Sequence, residues 1–416
     1  MAAEVRPVGN PPLPPPILER GVIGWMHANL FSTWFSGALT AVSCLVIGAA
    51  AIFGINWILF NADWSVIATL GGQLVIGQYN TELACPGQNC FWRPQVSVLL
   101  VTLILGMMWG LAGGGLPKRM GIAVAVILSA FALLPYSFER MGMDVRLLLG
   151  ANIPALGIGW AIARYTPLGT SRNVALSAVV VFVAILLLVR GGPAIPGLEP
   201  VSVRHWGGLM LNLILAVGGI AFSFPIGIAL ALGRRSSLPV VKLLCVVFIE
   251  VFRGVPLITL LFMSQVLVPL AFPENFPQNS LFRAAIVITL FSSAYMAENI
   301  RGGLQALHPG QAEAARALGL PSWQTMLFIS LPQAIRNVIP AIVGQFIALF
   351  KDTSLVYIIG MLDVVEISRA FIQGNPEYLA STKELFLFLG LVFWVFTYSM
   401  SYVSRRVEEN LGVGRR

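Results

Sequence analysis

Residues 208–232, GLMLNLILAVGGIAFSFPIGIALAL, form one of the long apolar runs that decide the fold. The hydrocarbon core of a bilayer is ~30 Å thick, so a helix of about 20 apolar residues crosses it. The whole chain of 416 residues shares this character, since 57% of it is hydrophobic, 11% is charged and its mean hydropathy is +0.83. A water-soluble domain needs more charge to cover its surface, so the bilayer is the expected solvent.

Ten such runs occur, and each predicts a membrane-spanning helix. Helices are expected rather than a barrel, because the runs are long and a helix pairs all its backbone polar groups within itself. The sequence therefore predicts an all-α membrane protein with about ten transmembrane helices. The runs cover residues 37–60, 96–116, 120–138, 147–164, 173–190, 208–232, 240–270, 281–300, 334–360 and 384–404.

The net charge of +8 raises the question of a nucleic-acid partner. With a cytoplasmic N-terminus and ten spans, most of the 26 Lys and Arg residues fall in cytoplasmic segments. Such a bias is the positive-inside pattern of membrane proteins. It predicts that both termini are cytoplasmic, and it explains the charge without nucleic-acid binding.

The pattern of spans and charges divides the chain into three parts. Residues 1–36 are polar and proline-rich and lack the features of a secretory signal, so we expect a retained cytoplasmic tail. Residues 37–205 hold five spans and no recognisable chemistry, which predicts an accessory transmembrane bundle with a packing role. Residues 206–410 hold five more spans, nearly all the unusual polar residues and a cytoplasmic loop at 301–333.

The four cysteines fall into two pairs. Cys44 and Cys245 lie in spans and are interpreted as core residues. Cys85 and Cys90 lie in the first outer loop, where an oxidising periplasm would allow a disulfide, although two free thiols explain them equally well. A metal site is not expected, because the three histidines are scattered along the chain.

The loop contains an unusual polar segment, HPGQAEAARALGLPSWQTMLFISLP, at residues 308–332. Pro309 suits the first turn of a helix, and Gly319 followed by Pro321 suits its end. The sequence predicts a short helix between them, and a second helical start at Ser322 leading into the ninth span. A solvated connecting helix that packs on its own protein is the simple interpretation.

The ordered string favours another interpretation. EAARALG followed by ISLP resembles the signature cytoplasmic loop of the permease subunits of ABC importers. AYMAENIRGGLQALHPGQAEAARALGL, EVFRGVPLITLLF and FKDTSLVYIIG resemble the polar amino-acid branch of that family, and the extra N-terminal spans resemble the larger permeases of general L-amino-acid importers. The residues that match the loop signature are Glu313, Ala314, Ala315, Gly319, Leu331 and Pro332.

The resemblance implies a five-helix type I ABC importer core preceded by the accessory bundle. It also implies four kinds of partner: a homologous second permease, an ABC ATPase dimer, a periplasmic binding protein and an L-amino-acid substrate. The loop helix would dock into the ATPase and transmit its closure. No G-x-x-x-x-G-K-[ST] phosphate loop occurs in the chain, so we expect no catalytic residue and no cofactor here, with ATP and Mg on the partner ATPase.

Charges inside spans are costly and mark pathways or pairs. Glu250 and Arg253 are three residues apart, so either they neutralise each other or Arg253 faces a substrate carboxylate. Glu298, one turn before Arg301, is interpreted as a structural or gating charge. The remaining candidates for the substrate path are Lys351, Asp352, Thr353 and Ser354, of which Lys351 could instead extend to the membrane interface.

Two rival functions remain at this stage. An ion-coupled secondary transporter would use Glu250, Glu298 or Asp352 for coupling, but it has no reason to carry the cytoplasmic loop. A scaffold or sensor subunit would not need Arg253 or Lys351.

Overall fold

The computed structural model describes residues 21–79, 92–112, 150–192, 198–273 and 279–412, together with residues 85, 90, 118–119, 121–123, 126 and 147–148. Helices dominate this part of the chain, which confirms the predicted all-α fold. The α-helices are α1 (Gly21–Leu30), α2 (Trp34–Asn56), α3 (Ser65–Ile76), α4 (Trp92–Ala112), α5 (Asn152–Tyr165), α6 (Ser171–Arg190), α7 (Gly208–Arg234), α8 (Pro239–Gly254), α9 (Leu257–Ala271), α10 (Ser280–Gln305), α11 (Pro309–Ala317), α12 (Ser322–Gln324), α13 (Leu331–Asn337), α14 (Ile339–Asp352), α15 (Val364–Gly374) and α16 (Thr382–Leu411).

The chain forms two compact units, Met1–Asp63 and Trp64–Arg416. In the first unit, Thr33 and Ser36 form a capping box at the start of α2. None of the side chains of α2 is buried, and Cys44 is exposed rather than a core residue as predicted. A helix that is apolar on every side suits a lipid environment.

Seven helical segments of the described chain are long and apolar enough to cross a membrane, or eight when α8 and α9 count as one broken span. These eight correspond to eight of the ten predicted runs. The predicted run at 120–138 lies largely outside the described residues. The run at 147–164 contains α5, which has only 14 residues.

The run at 240–270 is not one straight helix, because α8 and α9 meet at an angle of 114°. Val255 between them is extended, with φ −101° and ψ 132°. A residue before proline is driven from the helical region, and Pro256 has no N–H to continue the ladder. The predicted span at 240–270 is therefore broken by a sharp turn at Val255 and Pro256.

Two hydrophobic clusters organise the second unit around α10. One joins α7, α9, α10 and α14, with Leu211, Leu261 and Ile288 almost completely buried. The other joins the ends of α7, α8 and α10 to α13. The helix α10 therefore contributes buried residues to both clusters.

The short helix α3 packs into the second half of the chain although it belongs to the predicted accessory bundle. Val66 and Leu70 are fully buried in a cluster with residues of α15 and α16. Just after α3, Gly77 forms a backbone bridge with Trp206, and a Cβ on Gly77 would lie 2.5 Å from the Cα of Gly207. Only glycine allows so close an approach between backbones.

Residues that follow α3 form one disulfide and one buried hydrogen bond. Cys85 and Cys90 form a disulfide, which selects one of the two alternatives left open by the sequence. The hydroxyl of Tyr79 donates to the carbonyl of Val189 at 2.6 Å, and burial raises the pKa of Tyr79 while the nearby Arg93 opposes that rise.

Candidate functional site

The helix α11 forms as the sequence predicts. It begins at Pro309, and the Nδ1 atom of His308 accepts a hydrogen bond from the backbone N–H of Gly310 at 3.1 Å. It ends before Gly319, whose φ of +81° is a left-handed conformation that favours glycine. Local signals are sufficient here, because both ends depend on neighbouring residues alone.

The outer surface of α11 is available to a partner. Glu313 and Ala314 are exposed, whereas Ala315 is buried against the protein. Glu313 takes part in none of the ion pairs between described residues. The surface continues into Leu318, whose side chain is 83% exposed. A helix with an unpaired carboxylate and small side chains can enter a protein groove closely.

The far end of the loop is anchored in the membrane helices. A π-helical segment, Thr325–Ser330, leads from α12 to α13 and packs against α11. Leu331 is buried in the cluster at the end of α10, and Pro332 beside it is exposed. A Cβ on Gly303 of α10 would lie 2.5 Å from the carbonyl oxygen of Ala334, so α10 and α13 are in backbone contact.

A cluster of charged side chains lies where α7, α8 and α10 end. Glu298 accepts a hydrogen bond from Arg234 Nη1 at 3.0 Å, and its Oε2 lies 3.4 Å from Arg253 Nη1. Its other oxygen pairs with Arg301. Glu250 instead lies 3.2 Å from Arg234. Glu250 and Arg253 therefore do not form the pair that was one of the two alternatives, and Glu298 pairs within the protein, as expected of a structural or gating charge.

The i, i+3 rule failed for Glu250 and Arg253 for a physical reason. Spacing along one helix says which side chains can meet, but a partner on another helix can be closer. Glu298 is 16% exposed and faces three guanidinium groups, so it attracts Arg253 more strongly than the 55% exposed Glu250 does. Arg253 therefore pairs with Glu298 through Nη1, while its Nε is buried without a hydrogen-bond partner among the described residues.

The predicted substrate cluster at Lys351–Ser354 divides between two surroundings. Thr353 is fully buried, accepts a hydrogen bond from Asn212 at 3.0 Å and donates to the carbonyl of Phe350. Lys351 and Ser354 line a cavity of about 550 Å³, while Asp352 is half-buried and does not line it. The other residues that line the cavity are Val365, Phe386, Leu389, Gly390, Phe393, Trp394 and Thr397.

A buried polar network behind this cavity was not predicted. Asn212 accepts a hydrogen bond from the N–H of Val364 at 3.1 Å, and Asp363 caps α15 by accepting from the N–H groups of Val365 and Glu366. Asp363 lies between two spans, and its burial raises its pKa to about 6 against the hydrogen bonds that lower it. An acidic residue just before an apolar helical run is a capping signal that could have identified Asp363.

Comparison with known proteins agrees with the resemblance of the loop. Residues 223–412 match the family described as binding-protein-dependent transport system inner membrane component. Inner membrane amino-acid ABC transporter permease protein YhdY of Escherichia coli (strain K12) is 36% identical over 410 residues, 98% of each chain. Glutamate/glutamine/aspartate/asparagine transport system permease protein BztC of Rhodobacter capsulatus is 33% identical over 437 residues, 96% of each chain. Probable glutamine ABC transporter permease protein GlnP of Bacillus subtilis (strain 168) is 36% identical over 204 residues, 49% of this chain and 91% of that protein.

The three stretches that carried the resemblance, at 250–262, 294–320 and 350–360, all lie within the matched region. Two relatives also align over nearly the whole length, so their similarity includes the N-terminal helices. Proteins of this kind are multi-pass inner-membrane subunits, and ATP hydrolysis belongs to a separate subunit of the transporter. The chain belongs to the family of permease subunits of polar amino-acid ABC transporters.

Proposed function

We propose that α11 transmits the closure of an ABC ATPase dimer to the membrane helices. In this proposal the chain pairs with a homologous second permease and receives polar L-amino acids from a periplasmic binding protein. The cycle moves the substrate from the periplasm to the cytoplasm. The ATPase drives it because it binds one conformation of the permease pair better than the other.

One observation carries the proposal. The loop is exposed at one end and buried at the other, since Glu313 and Ala314 face outward while Leu331 and Ala334 pack among transmembrane helices. A connecting helix that merely covers its own protein has no need of an exposed, small-residue surface. A force applied to α11 would reach α10 directly, because the two are joined by three residues and bridged again through α13.

The substrate class rests on the relatives and on the cavity. The names of two relatives specify glutamate, glutamine, aspartate and asparagine, or glutamine. A zwitterion needs a cation for its carboxylate and an acceptor for its ammonium group. Lys351 with Ser354 offers both in the cavity, and Asp352, next to Lys351 in sequence, remains a candidate. We retain these residues as the substrate path and leave out Arg253.

The proposed orientation places α11 and both termini in the cytoplasm. The distribution of Lys and Arg supports this arrangement. ATP and Mg are then held by the partner ATPase, and the permease chain contributes only contacts and movement.

The test is Glu313→Lys in the intact importer, with Gln311→Lys as the matched control. Both changes place a cation on the exposed part of the same helix. Glu313→Lys should release the ATPase during purification and reduce uptake at least about tenfold, since a like charge opposes docking in a complementary groove. Gln311→Lys should keep most of the uptake. Normal uptake and ATPase retention in Glu313→Lys would reject the docking role.

A further inference from the structure

The ion-pair cluster around Glu298 lies at a junction of three helices. Arg234 is the last residue of α7, and Arg253 is the next-to-last residue of α8. Glu298 stands on α10, two turns before its end, and touches both. Of the two carboxylates in the cluster, Glu298 is much the better shielded from water.

The same part of α10 is rigidly connected to the cytoplasmic loop. The helix continues past Glu298 to Gln305 and reaches α11 within three further residues. One turn after Glu298, Gly303 is in backbone contact with Ala334 on the other side of the loop. Any displacement of the loop therefore displaces Glu298.

Arg253 stands beside the sharp bend between α8 and α9. It precedes Gly254 and the extended Val255, where the chain turns by 114°. Two residues of α10, one turn apart, hold it. Glu298 pairs with its guanidinium, and the ring of Tyr295 lies 5.7 Å from that guanidinium while its hydroxyl donates to the Arg253 carbonyl at 3.5 Å.

Beyond the bend, α9 packs against the 3₁₀ segment Thr353–Ile359, which begins two residues after Lys351. Leu257 and Leu261 share a buried cluster with Leu349 and Val356, which flank Lys351 in sequence. A movement of the bend would therefore displace Lys351 and Ser354, which line the cavity. Apolar packing alone does not fix the position of α8 on α10, because such contacts are non-directional. The ion pair between Arg253 Nη1 and Glu298 Oε2, 3.4 Å apart, links one particular side chain of α8 to one of α10.

We propose that Glu298 is a positioning residue that fastens the bend between α8 and α9 to the helix carrying the cytoplasmic loop. The inference rests on the proposed function, because it assumes that α11 is the element that the ATPase moves. When α11 moves, Glu298 takes Arg253 with it, and the bend and α9 follow. Without the carboxylate, the loop still moves, but the bend between α8 and α9 does not move together with it.

The experiment uses the full importer reconstituted in liposomes, with ATP hydrolysis and amino-acid uptake measured on the same preparation. Glu298→Gln keeps the shape of the side chain and removes its charge. We expect ATP hydrolysis close to the unmodified rate, but uptake per ATP lower by about tenfold, within the usual range of coupling between sites. Glu298→Asp, which keeps the charge, should recover part of the loss.

Glu250→Gln is the matched control. Glu250 belongs to the same cluster but is 55% exposed and contacts Arg234 rather than Arg253. An exposed ion pair contributes little, so this variant should keep its uptake per ATP. Arg253→Gln should reproduce the loss seen in Glu298→Gln, and the double variant should lose no more than either single variant, because both remove the same link.

Three results would overturn the proposal. The first is an unchanged uptake per ATP in Glu298→Gln. The second is a proportional fall of ATP hydrolysis and uptake, which marks a merely structural role. The third is full coupling in Arg253→Gln, which decides the matter even if the Glu298 variant does not fold. Glu313→Lys is measured in parallel, and if it also leaves uptake intact the docking proposal itself has failed.

Discussion

Asp363 gives the most quantitative prediction. Its side chain is fully buried, and burial raises its pKa to about 6 from an ordinary value of 3.8. The neighbouring carboxylate of Glu366 adds to the rise, while the N–H groups that Asp363 caps and the amide of Asn212 act in the other direction. At neutral pH Asp363 is therefore mostly ionised, and its buried charge makes the folded protein less stable than the protonated acid would.

The sign of the pH effect follows from proton linkage. Between about pH 4 and 6 the unfolded chain has lost this proton while the folded protein keeps it, so stability falls as pH rises. Below pH 4 the acid is protonated in both states and the difference disappears. The shift of roughly 2 pH units corresponds to about 3 kcal/mol at 1.36 kcal/mol per unit, reached above pH 6.

Asp363→Asn removes this titration while retaining an oxygen that can cap α15. Its free energy of unfolding should be close to that of the unmodified protein near pH 4. At higher pH the variant should become progressively more stable than the unmodified protein, by as much as about 3 kcal/mol at pH 7. Glu377→Gln, a change at an exposed acid, is the control and should show no such divergence. Parallel curves for Asp363→Asn and the unmodified protein across this range would refute the assignment of a buried, destabilised carboxylate.

Two further predictions concern covalent and steric contacts. A gel-shift count should find two additional reactive thiols after reduction, because Cys85 and Cys90 form a disulfide, and an unchanged count would contradict that bond. Gly303→Val should abolish folding or uptake, because its Cβ would lie 2.5 Å from the carbonyl oxygen of Ala334. Gly302→Ala is the control, since no atom lies within 4 Å of that position, and similar behaviour of the two variants would reject the contact.

The sequence predicts well what depends on neighbouring residues. The spans follow from the length of apolar runs, and the bounds of α11 follow from Pro309 and Gly319. These features need no knowledge of which helices meet.

Contacts between distant residues were not predictable in this way. Glu298 and Arg234 are 64 residues apart, and only the packing of α7 on α10 brings them together. The network of Asn212 with Asp363 joins residues 151 apart. A single polar residue in an apolar run shows that a partner is required, because an unpaired polar group is costly there, but it does not identify that partner.

The pairing of Arg253 with Glu298 changes how we relate the proposed substrate path to the cytoplasmic loop. Had Arg253 faced the substrate, the charged residues of the spans would have formed one continuous binding site. Its pairing with Glu298 separates them into two groups with different tasks. The group around Glu298 lies between helices that end near the loop, so it can change only if those helices move relative to one another. The group at Lys351 and Ser354 lines a cavity and can contact a solute.

The bend after Arg253 is the part of the chain that joins these groups, since α9 packs on the segment that follows Lys351. A variant at Lys351 should therefore alter which solute is carried, whereas a variant at Glu298 should alter how much ATP each solute requires.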